Sequence, residues 1–191
     1  MLVVSVELNV TLERGVVMKN SNVSLESSVF RRVIAERPWL FIVARYIYSY
    51  PGLTLEELKE ISGLKAEVVK RGVWWLKKYG VVEERNGKLF IPRSFAKIIE
   101  SLIFNTCSTV DMHILLVDMV YIVFRIRGGK IEYWSLPAEY YEKISHYRDI
   151  AEFCSPERVT SVLDVNLSTA KKICLLLSLL RKCRSAGGAV S

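Results

Sequence analysis

The sequence predicts a mainly α-helical protein with small β-hairpins, in the α+β class. Hydrophobic residues make up 51% of the 191 positions and charged residues 25%, which is enough apolar material for a buried core. Most segments space their apolar residues with a helical period, and two segments change to an alternating pattern around a turn sequence. These turns are Asn86-Gly87 and the Arg-Gly-Gly-Lys stretch at 127–130, and each predicts a β-hairpin.

The positive charge of the chain is confined to one third of its length. Residues 31–97 contain fourteen Lys or Arg and seven Glu, a net charge of +7 that equals the net charge of the whole chain. A localised excess of this kind is typical of a surface that binds a polyanion, although a merely solubilising surface has the same composition. The arrangement of the basic residues within this segment therefore bears on function.

Three helices are predicted within the basic segment. The first covers residues 38–50 and ends at a Pro-Gly-Leu sequence. Thr54 and Glu57 have the spacing of a capping box, which predicts that a short second helix begins there. After the turn Ser-Gly-Leu, a third helix is predicted from residue 65 or 66 to residue 79, and Gly80 supplies its left-handed terminus.

The third predicted helix has one apolar and one basic face. At about 100° per residue, its inward residues are Val69, Gly72, Val73, Leu76 and Tyr79, and its outward residues are Lys70, Arg71, Trp74, Lys77 and Lys78. Trp75 lies at the border, where it is expected to close the edge of the core, whereas Trp74 is displayed among cations. Gly72 has no side chain on the inward face, which predicts close packing against another helix.

The stretch TLEELKEISGLKAEVVKRGVWWLKKYGVVEERNGKLFIP resembles the winged helix-turn-helix domains of MarR-like and ArsR-like transcription regulators. The resemblance covers about residues 36–105. It implies that the front half of the third helix enters the DNA major groove and that the hairpin, or wing, reaches the DNA backbone or the minor groove. The implied DNA-contacting residues are Lys65, Glu67, Lys70, Arg71 and Trp74 on the helix, with Ala66 among them, and Arg85 and Lys88 on the wing.

Three classes of function remain open on this resemblance. The first is a transcription regulator that binds double-stranded DNA and blocks or recruits the transcription machinery. The second is a tandem winged-helix interaction subunit of a chromosome or transcription complex, in which an exposed Trp74 contacts protein. The third is an accessory protein of replication, of a plasmid or of a virus, which also binds DNA. Salt dependence separates DNA binding from an apolar protein interface, because only phosphate contacts release counterions.

Residues 155–184 resemble a second helix-turn-helix, in which Ser155 caps the first helix and Ser168 begins the second. The residues that would face DNA are Ser168, Thr169, Lys171 and Lys172. The second helix is apolar almost all round, and such a helix must be covered. We therefore expect this unit to be structural or to form a homodimer through its leucines, with the predicted helix 94–104 contributing. Alternatively, the hairpin at 119–137 covers the leucines within one chain.

These segments divide the chain into four parts. Residues 1–33 form an N-terminal extension with a β-hairpin as one possibility, and residues 34–105 form the winged helix-turn-helix domain. Residues 106–184 contain the second hairpin and the second helix-turn-helix-like unit, and residues 185–191 have the composition of a flexible tail.

No reactive or metal-binding motif stands out in the sequence. The four cysteines lack the spacing of a zinc site or a disulfide framework and are expected to be buried thiols. We expect no catalytic residue, no metal and no cofactor, and the sequence is silent on a small-molecule effector. The start of the chain does not have the pattern of a signal peptide and no segment is long and apolar enough for a membrane, so a cytoplasmic location is expected. The absence of glutamine favours a thermophilic source.

Overall fold

Helices account for most of the fold, and two antiparallel sheets complete it. The computed structural model describes residues 21–104, 106–108, 112–147 and 154–185. This part of the chain contains eight helices and six strands, so the predicted α+β class is confirmed. The helices are α1 (Ser21–Glu36), α2 (Leu40–Ser49), α3 (Leu55–Ser62), α4 (Ala66–Lys78), α5 (Arg93–Phe104), α6 (Ala138–Ser145), α7 (Pro156–Leu163) and α8 (Leu167–Ser185). The strands are β1 (Glu83–Arg85), β2 (Lys88–Phe90), β3 (Thr106–Ser108), β4 (Met112–Val117), β5 (Val120–Arg127) and β6 (Lys130–Pro137).

Both predicted hairpins are present. β1 and β2 form a two-stranded sheet whose turn residues have φ angles of 52° at Asn86 and 75° at Gly87. β5 and β6 turn at Gly128 and Gly129, with φ angles of 55° and 71°. Two successive left-handed residues suit the twist of a two-residue hairpin, which is why Asn and Gly occupy these positions. The second hairpin belongs to a larger sheet that the sequence did not reveal, with strand order β3-β4-β5-β6.

Local hydrogen bonds fix the start of α3 as predicted. The Thr54 hydroxyl accepts a hydrogen bond from the Glu57 N–H at 3.3 Å, and the Glu57 carboxylate accepts one from the Thr54 N–H at 2.7 Å. The Thr54 N–H and the Thr54 hydroxyl, which donates to the same carboxylate at 2.9 Å, hold the pKa of the Glu57 carboxyl below its usual range, because both bonds favour the ionised form. Gly63, with φ of 64°, ends α3 in the left-handed conformation.

The four-stranded sheet lies between two layers of helices. On one face, Leu115, Ile122 and Phe124 join a core formed by the helices α1 to α5. On the other face, Ile114 and Val123 join a second core, which α6, α7 and α8 cover. Successive residues of a strand point to opposite faces, so uninterrupted apolar stretches in β4 and β5 supply both cores at once.

The N-terminal region differs from its prediction. Residues 21–33, which were assigned to an extension with a possible hairpin, belong to α1, and the first 20 residues lie outside the described part of the chain. Phe30, Val33 and Ile34 are buried against the first core at helical spacing, and α1 packs on α5. A helix packs stably when one side of it is apolar. Although α1 is largely polar, these three large residues lie on one side of it and supply that apolar stripe. The same packing covers α5 within the chain.

The leucines of α8 are also covered within the chain, which was the alternative to dimer formation. Leu176 is 1% exposed and packs on the second face of the sheet, together with Ile173, Leu177, Leu179 and Leu180. The homodimer stays a prediction, but these buried leucines are not available for its interface. No helix in the described residues has the length and apolar character to cross a membrane, α8 included.

The expectation of four free thiols is wrong. The structure pairs Cys107 with Cys183 and Cys154 with Cys174 as disulfides, with Cα–Cα distances of 6.0 and 5.3 Å. Both distances lie in the range that a disulfide requires. Each bridge joins α8 to another part of the fold, β3 in one case and the segment before α7 in the other. The sequence spacing did not reveal the pairs, because the partners are separated by 76 and 20 residues and meet only through the tertiary fold.

The predicted close packing at Gly72 is confirmed, and a substitution tests what it contributes to stability. A Cβ at this position would lie 2.9 Å from Cγ2 of Val43 and 3.2 Å from Cζ3 of Trp39. We expect Gly72→Ala to lower the free energy of unfolding by about 1–2 kcal/mol, because overpacking outweighs the gain in helix propensity of about 1 kcal/mol. In a Val43→Ala background, the same substitution should be neutral or stabilising in urea unfolding. Equal destabilisation in both backgrounds would contradict this cause.

Neighbouring leucines of α8 test the covering of this helix. Leu175 is 42% exposed, whereas Leu176 is buried. We expect Leu176→Glu to destabilise the fold by more than about 3 kcal/mol, because it buries an unpaired charge, and Leu175→Glu to change stability by less than about 0.5 kcal/mol. Urea unfolding at matched protein concentration measures both. Comparable stability of the two variants would mean that Leu176 does not lie in the core.

Candidate nucleic-acid interface

The two faces of α4 are those that the sequence predicts. Val69, Gly72, Val73 and Leu76 are buried against the first core, which anchors the helix. The opposite side is exposed and consists of Lys70, Arg71, Trp74, Lys77 and Lys78. Of the large side chains on this side, Trp74 is the apolar one, and it is 56% exposed.

The start of α4 meets a second element that the sequence did not place there. The Lys65 N–H donates a hydrogen bond to the Gly129 carbonyl at 2.9 Å, so the turn of the β5–β6 hairpin contacts the first residue before the helix. We call residues 127–130 the β5–β6 tip. A Cβ at Gly129 would lie 3.0 Å from the Lys65 nitrogen and 3.2 Å from the Gly63 carbonyl oxygen, so the approach requires glycine. The side chains of Lys65 and Glu67 remain exposed beside this contact.

Trp75 and its neighbours form a cation–π cluster at the border of the core. The Arg37 guanidinium lies 4.0 Å from the centroid of the Trp75 ring, and that ring stacks on Tyr79 with the two centroids 5.8 Å apart. The Lys78 Nζ lies 5.0 Å from the Trp75 ring and 5.3 Å from the Trp74 ring. Trp75 is half-buried, as predicted, and the cluster holds Lys78 against the protein surface.

The cations of the outward face differ in how strongly the protein itself engages them. Lys77 pairs with Glu84 of β1 at 2.7 Å, and the Arg85 Nε lies 3.1 Å from the Glu83 carboxylate. Arg71 lies over the Trp39 ring at 5.2 Å. Among the described residues, no carboxylate pairs with Lys65, Lys70, Arg71 or Lys88. An external anion can neutralise the charge of these side chains, and that of Lys78 on its tryptophan rings, without first breaking an ion pair.

The β1–β2 hairpin is held beside α4 by backbone bonds. The Leu89 N–H donates to the Leu53 carbonyl at 2.8 Å, and the Gly52 N–H donates to the Leu89 carbonyl at 2.9 Å. We call residues 85–88 the β1–β2 tip. Because β2 is tied to the segment before α3, Arg85 and Lys88 are displayed at a fixed position next to the α3 and α4 pair.

An open groove runs between α4, the start of α3 and β1. It has a volume of about 700 Å³ and is lined by Leu55, Lys70, Val73, Trp74, Lys77, Lys78 and Glu84. Apolar side chains form its floor and cations form its rim. Such a groove accommodates the sugar edge of a nucleic acid or an apolar side chain of another protein.

Arg45 belongs to the basic segment but does not contribute to this surface. Its guanidinium Nη1 donates to the Ser108 hydroxyl at 2.6 Å and lies 2.8 Å from Nδ1 of His113, which is buried. Burial lowers the pKa of the Arg45 guanidinium, because a desolvated charge is disfavoured. This polar contact ties α2 to β3 and β4, and nothing in the local sequence around the three residues indicated it.

The second group of predicted contacts lies elsewhere in the fold. α8 begins at Leu167, one residue earlier than predicted, because the Asn166 side chain accepts a hydrogen bond from the Thr169 N–H at 2.9 Å. Ser168 and Lys171 are exposed, whereas Thr169 and Lys172 are half-buried. α8 belongs to the core on one face of the four-stranded sheet, and α4 belongs to the core on the other face. The structure therefore does not join these residues to the outward face of α4.

Comparison of the chain with protein-family models, with curated proteins and with solved structures gives no match. In the described ranges, no group of three or more His, Cys, Asp or Glu side chains is placed to hold a metal ion. The surface around α4 is therefore the part of the described chain that bears most directly on function.

Proposed function

We propose that the chain is a double-stranded DNA-binding protein that regulates transcription through a winged helix-turn-helix formed by α3, α4 and the β1–β2 hairpin. The observation that carries the proposal is the outward face of α4, where Lys70 and Arg71 are exposed without a carboxylate partner in the described residues. The hairpin beside this face presents Arg85 and Lys88. A basic helix beside a hairpin whose tip carries two cations suits the curved polyanionic surface of a duplex.

In the proposed complex, the front half of α4 enters the major groove. Lys70 and Arg71 donate to guanine edges or to phosphate oxygens, while Lys65 contacts phosphate. Glu67 is unfavourable towards phosphate and accepts from a cytosine amino group instead. Arg85 and Lys88 bind the DNA backbone. Occupation of the site then blocks or recruits the transcription machinery.

The alternative is that the same surface binds protein, as in a tandem winged-helix subunit of a chromosome or transcription complex. One observation favours it: Trp74 stands exposed in a groove whose floor includes Leu55 and Val73. An exposed tryptophan in an apolar groove is typical of a protein-binding hot spot. Binding that changes little with salt concentration would favour this alternative over DNA.

Further parts of the proposal concern assembly and setting. We propose a second DNA contact at the start of α8, formed by Ser168, Thr169, Lys171 and Lys172. A homodimer would bring two copies of α4 to successive major grooves. We propose a cytoplasmic location in a thermophile. The two disulfides fit this setting, since intracellular proteins of hyperthermophiles are an exception to the rule that cytosolic proteins lack disulfides.

Two double variants that remove the same charge test how α4 docks. We expect Lys70→Ala/Arg71→Ala to weaken duplex binding by about 10- to 100-fold at 0.1 M salt, since each lost phosphate or base contact costs up to about tenfold. Lys77→Ala/Lys78→Ala should cost about fivefold or less, because Lys77 is paired with Glu84 and Lys78 rests on tryptophan rings. Fluorescence anisotropy with a labelled duplex measures both. A larger loss for the second variant would overturn the proposed docking.

A further inference from the structure

The two hairpin tips of the protein have the same sequence pattern and the same turn geometry. The β1–β2 tip reads Arg-Asn-Gly-Lys at 85–88, and the β5–β6 tip reads Arg-Gly-Gly-Lys at 127–130. In both, two residues with positive φ make the turn, and the basic residues on either side of it are direct cross-strand partners, Arg85 with Lys88 and Arg127 with Lys130. Each tip therefore closes a left-handed turn with a pair of cations.

A directly opposed pair of like charges is unfavourable in a sheet, because the side chains of cross-strand partners lie close together. The β5–β6 tip lacks a compensating carboxylate in the described residues, since neither Arg127 nor Lys130 forms an ion pair there. Glu132, the nearest carboxylate along β6, lies opposite Arg125 in the strand register. The cation pair at Arg127 and Lys130 is thus exposed and uncompensated, a state that a bound anion would relieve.

The position of the β5–β6 tip is fixed by the fold. The Gly129 carbonyl accepts from the Lys65 N–H at 2.9 Å, and the absence of a side chain at Gly129 allows the turn to approach Lys65 and Gly63. The β1–β2 hairpin runs beside α4, and Glu84 of β1 pairs with Lys77 in the last turn of the helix. One cationic tip therefore lies at the start of α4, and the hairpin that carries the other tip contacts its last turn.

We propose that the β5–β6 tip is a second phosphate-binding point of the DNA interface, with Arg127 and Lys130 neutralising backbone phosphates at the start of α4. This inference rests on the proposed function, because it adds a second point of contact with the same DNA duplex. With 13 residues, α4 is about 20 Å long, which exceeds the width of the major groove, about 12 Å. Contacts at the two ends of the helix would consequently reach the two phosphate backbones that flank the groove.

The first test removes the charge of the tip. Arg127→Ala/Lys130→Ala should weaken duplex binding at least about tenfold at 0.1 M salt and reduce the salt slope of the affinity by about 2, as expected for two lost phosphate contacts. The control, Arg31→Ala/Lys143→Ala, removes the same charge at the other end of the sheet. There Arg31 pairs with Asp118 in the β4–β5 turn, and Lys143 pairs with Glu139 in the helix after β6. The control should keep the wild-type salt slope.

Each outcome of this comparison has a distinct meaning. If the tip variant binds as the control does while Lys70→Ala/Arg71→Ala loses affinity, the tip is not a phosphate contact and the proposed function stands. If the tip variant, the control and Lys70→Ala/Arg71→Ala all bind alike, both the phosphate contact at the tip and the proposed function fail. Circular dichroism of each variant establishes that the fold is retained, which is expected because all the substituted side chains are at the surface.

The second test displaces the tip without changing its charge. Gly128→Asn and Gly129→Asn both introduce asparagine, which tolerates positive φ better than most residues with a side chain. The added Cβ would contact Lys65 and Gly63 at position 129, whereas at position 128 it would have no neighbour within 4 Å. Gly129→Asn should therefore weaken duplex binding several-fold, about threefold or more, if the position of the cations matters for simultaneous phosphate contacts. Gly128→Asn should bind as the wild type does. Equal affinities for the two variants would show that the contact with Lys65 does not position the tip for DNA.

Discussion

Burial of both faces of the β3–β6 sheet is the interaction on which the arrangement of the chain depends. β4 and β5 carry apolar residues at consecutive positions, so Ile122 and Phe124 enter one core while Tyr121 and Val123 enter the other. Each square ångström of apolar surface removed from water stabilises the fold by about 25 cal/mol. A sheet with helices on both faces contributes this free energy from both of its faces. The helices on either face are consequently held by one shared element. The direction of the β5–β6 hairpin is set by the same burial, which is what brings its tip to Lys65.

The distribution of charge follows from this layering. Once α1, α2 and α5 have covered one face of the sheet, the outward side of α4 remains at the surface with its cations. Carboxylates of β1 engage some of the neighbouring cations, Glu84 binding Lys77 and Glu83 binding Arg85. Exposed pairs of this kind contribute little to stability, and salt weakens them further. They do not reach the front of α4, where Lys65, Lys70 and Arg71 form no ion pair in the described residues. Arg45 belongs to the same basic segment but points into a polar contact with Ser108 and His113, so position in the segment alone does not place a cation on this surface.

The features that the sequence predicted are those that depend on neighbouring residues. The capping box of Thr54 and Glu57, the Asn-Gly turn and the two faces of α4 each follow from spacing within a few positions, and each is confirmed. The features it did not predict depend on contacts between distant segments. β3 and β4 are recognisable only as partners of β5, and the cysteine pairs meet only when α8 packs on the sheet. Of the sheet that covers the leucines of α8, the sequence predicted only the hairpin at 119–137, as the alternative to a dimer.

The same distinction applies to the interface. Lys70, Arg71 and Trp74 could be placed outside by helical periodicity, and they lie there. The approach of Gly129 to Lys65 could not be foreseen, because it joins two turns that lie more than 60 positions apart in the sequence and that only the packing of the sheet brings together. DNA binding and transcription regulation were inferred from the order of helices and hairpin, which resembles a winged helix-turn-helix, and they remain a proposal.

The salt dependence of duplex binding by the wild-type chain tests the central claim most directly. If α4 and the two hairpin tips neutralise backbone phosphates, the logarithm of the association constant falls linearly with the logarithm of salt concentration, with a slope of about −0.9 for each phosphate contact. With two contacts at each tip and at least one from α4, the account predicts a slope of about −4.5 or steeper. A slope near zero, or the absence of duplex binding at low salt, would contradict it.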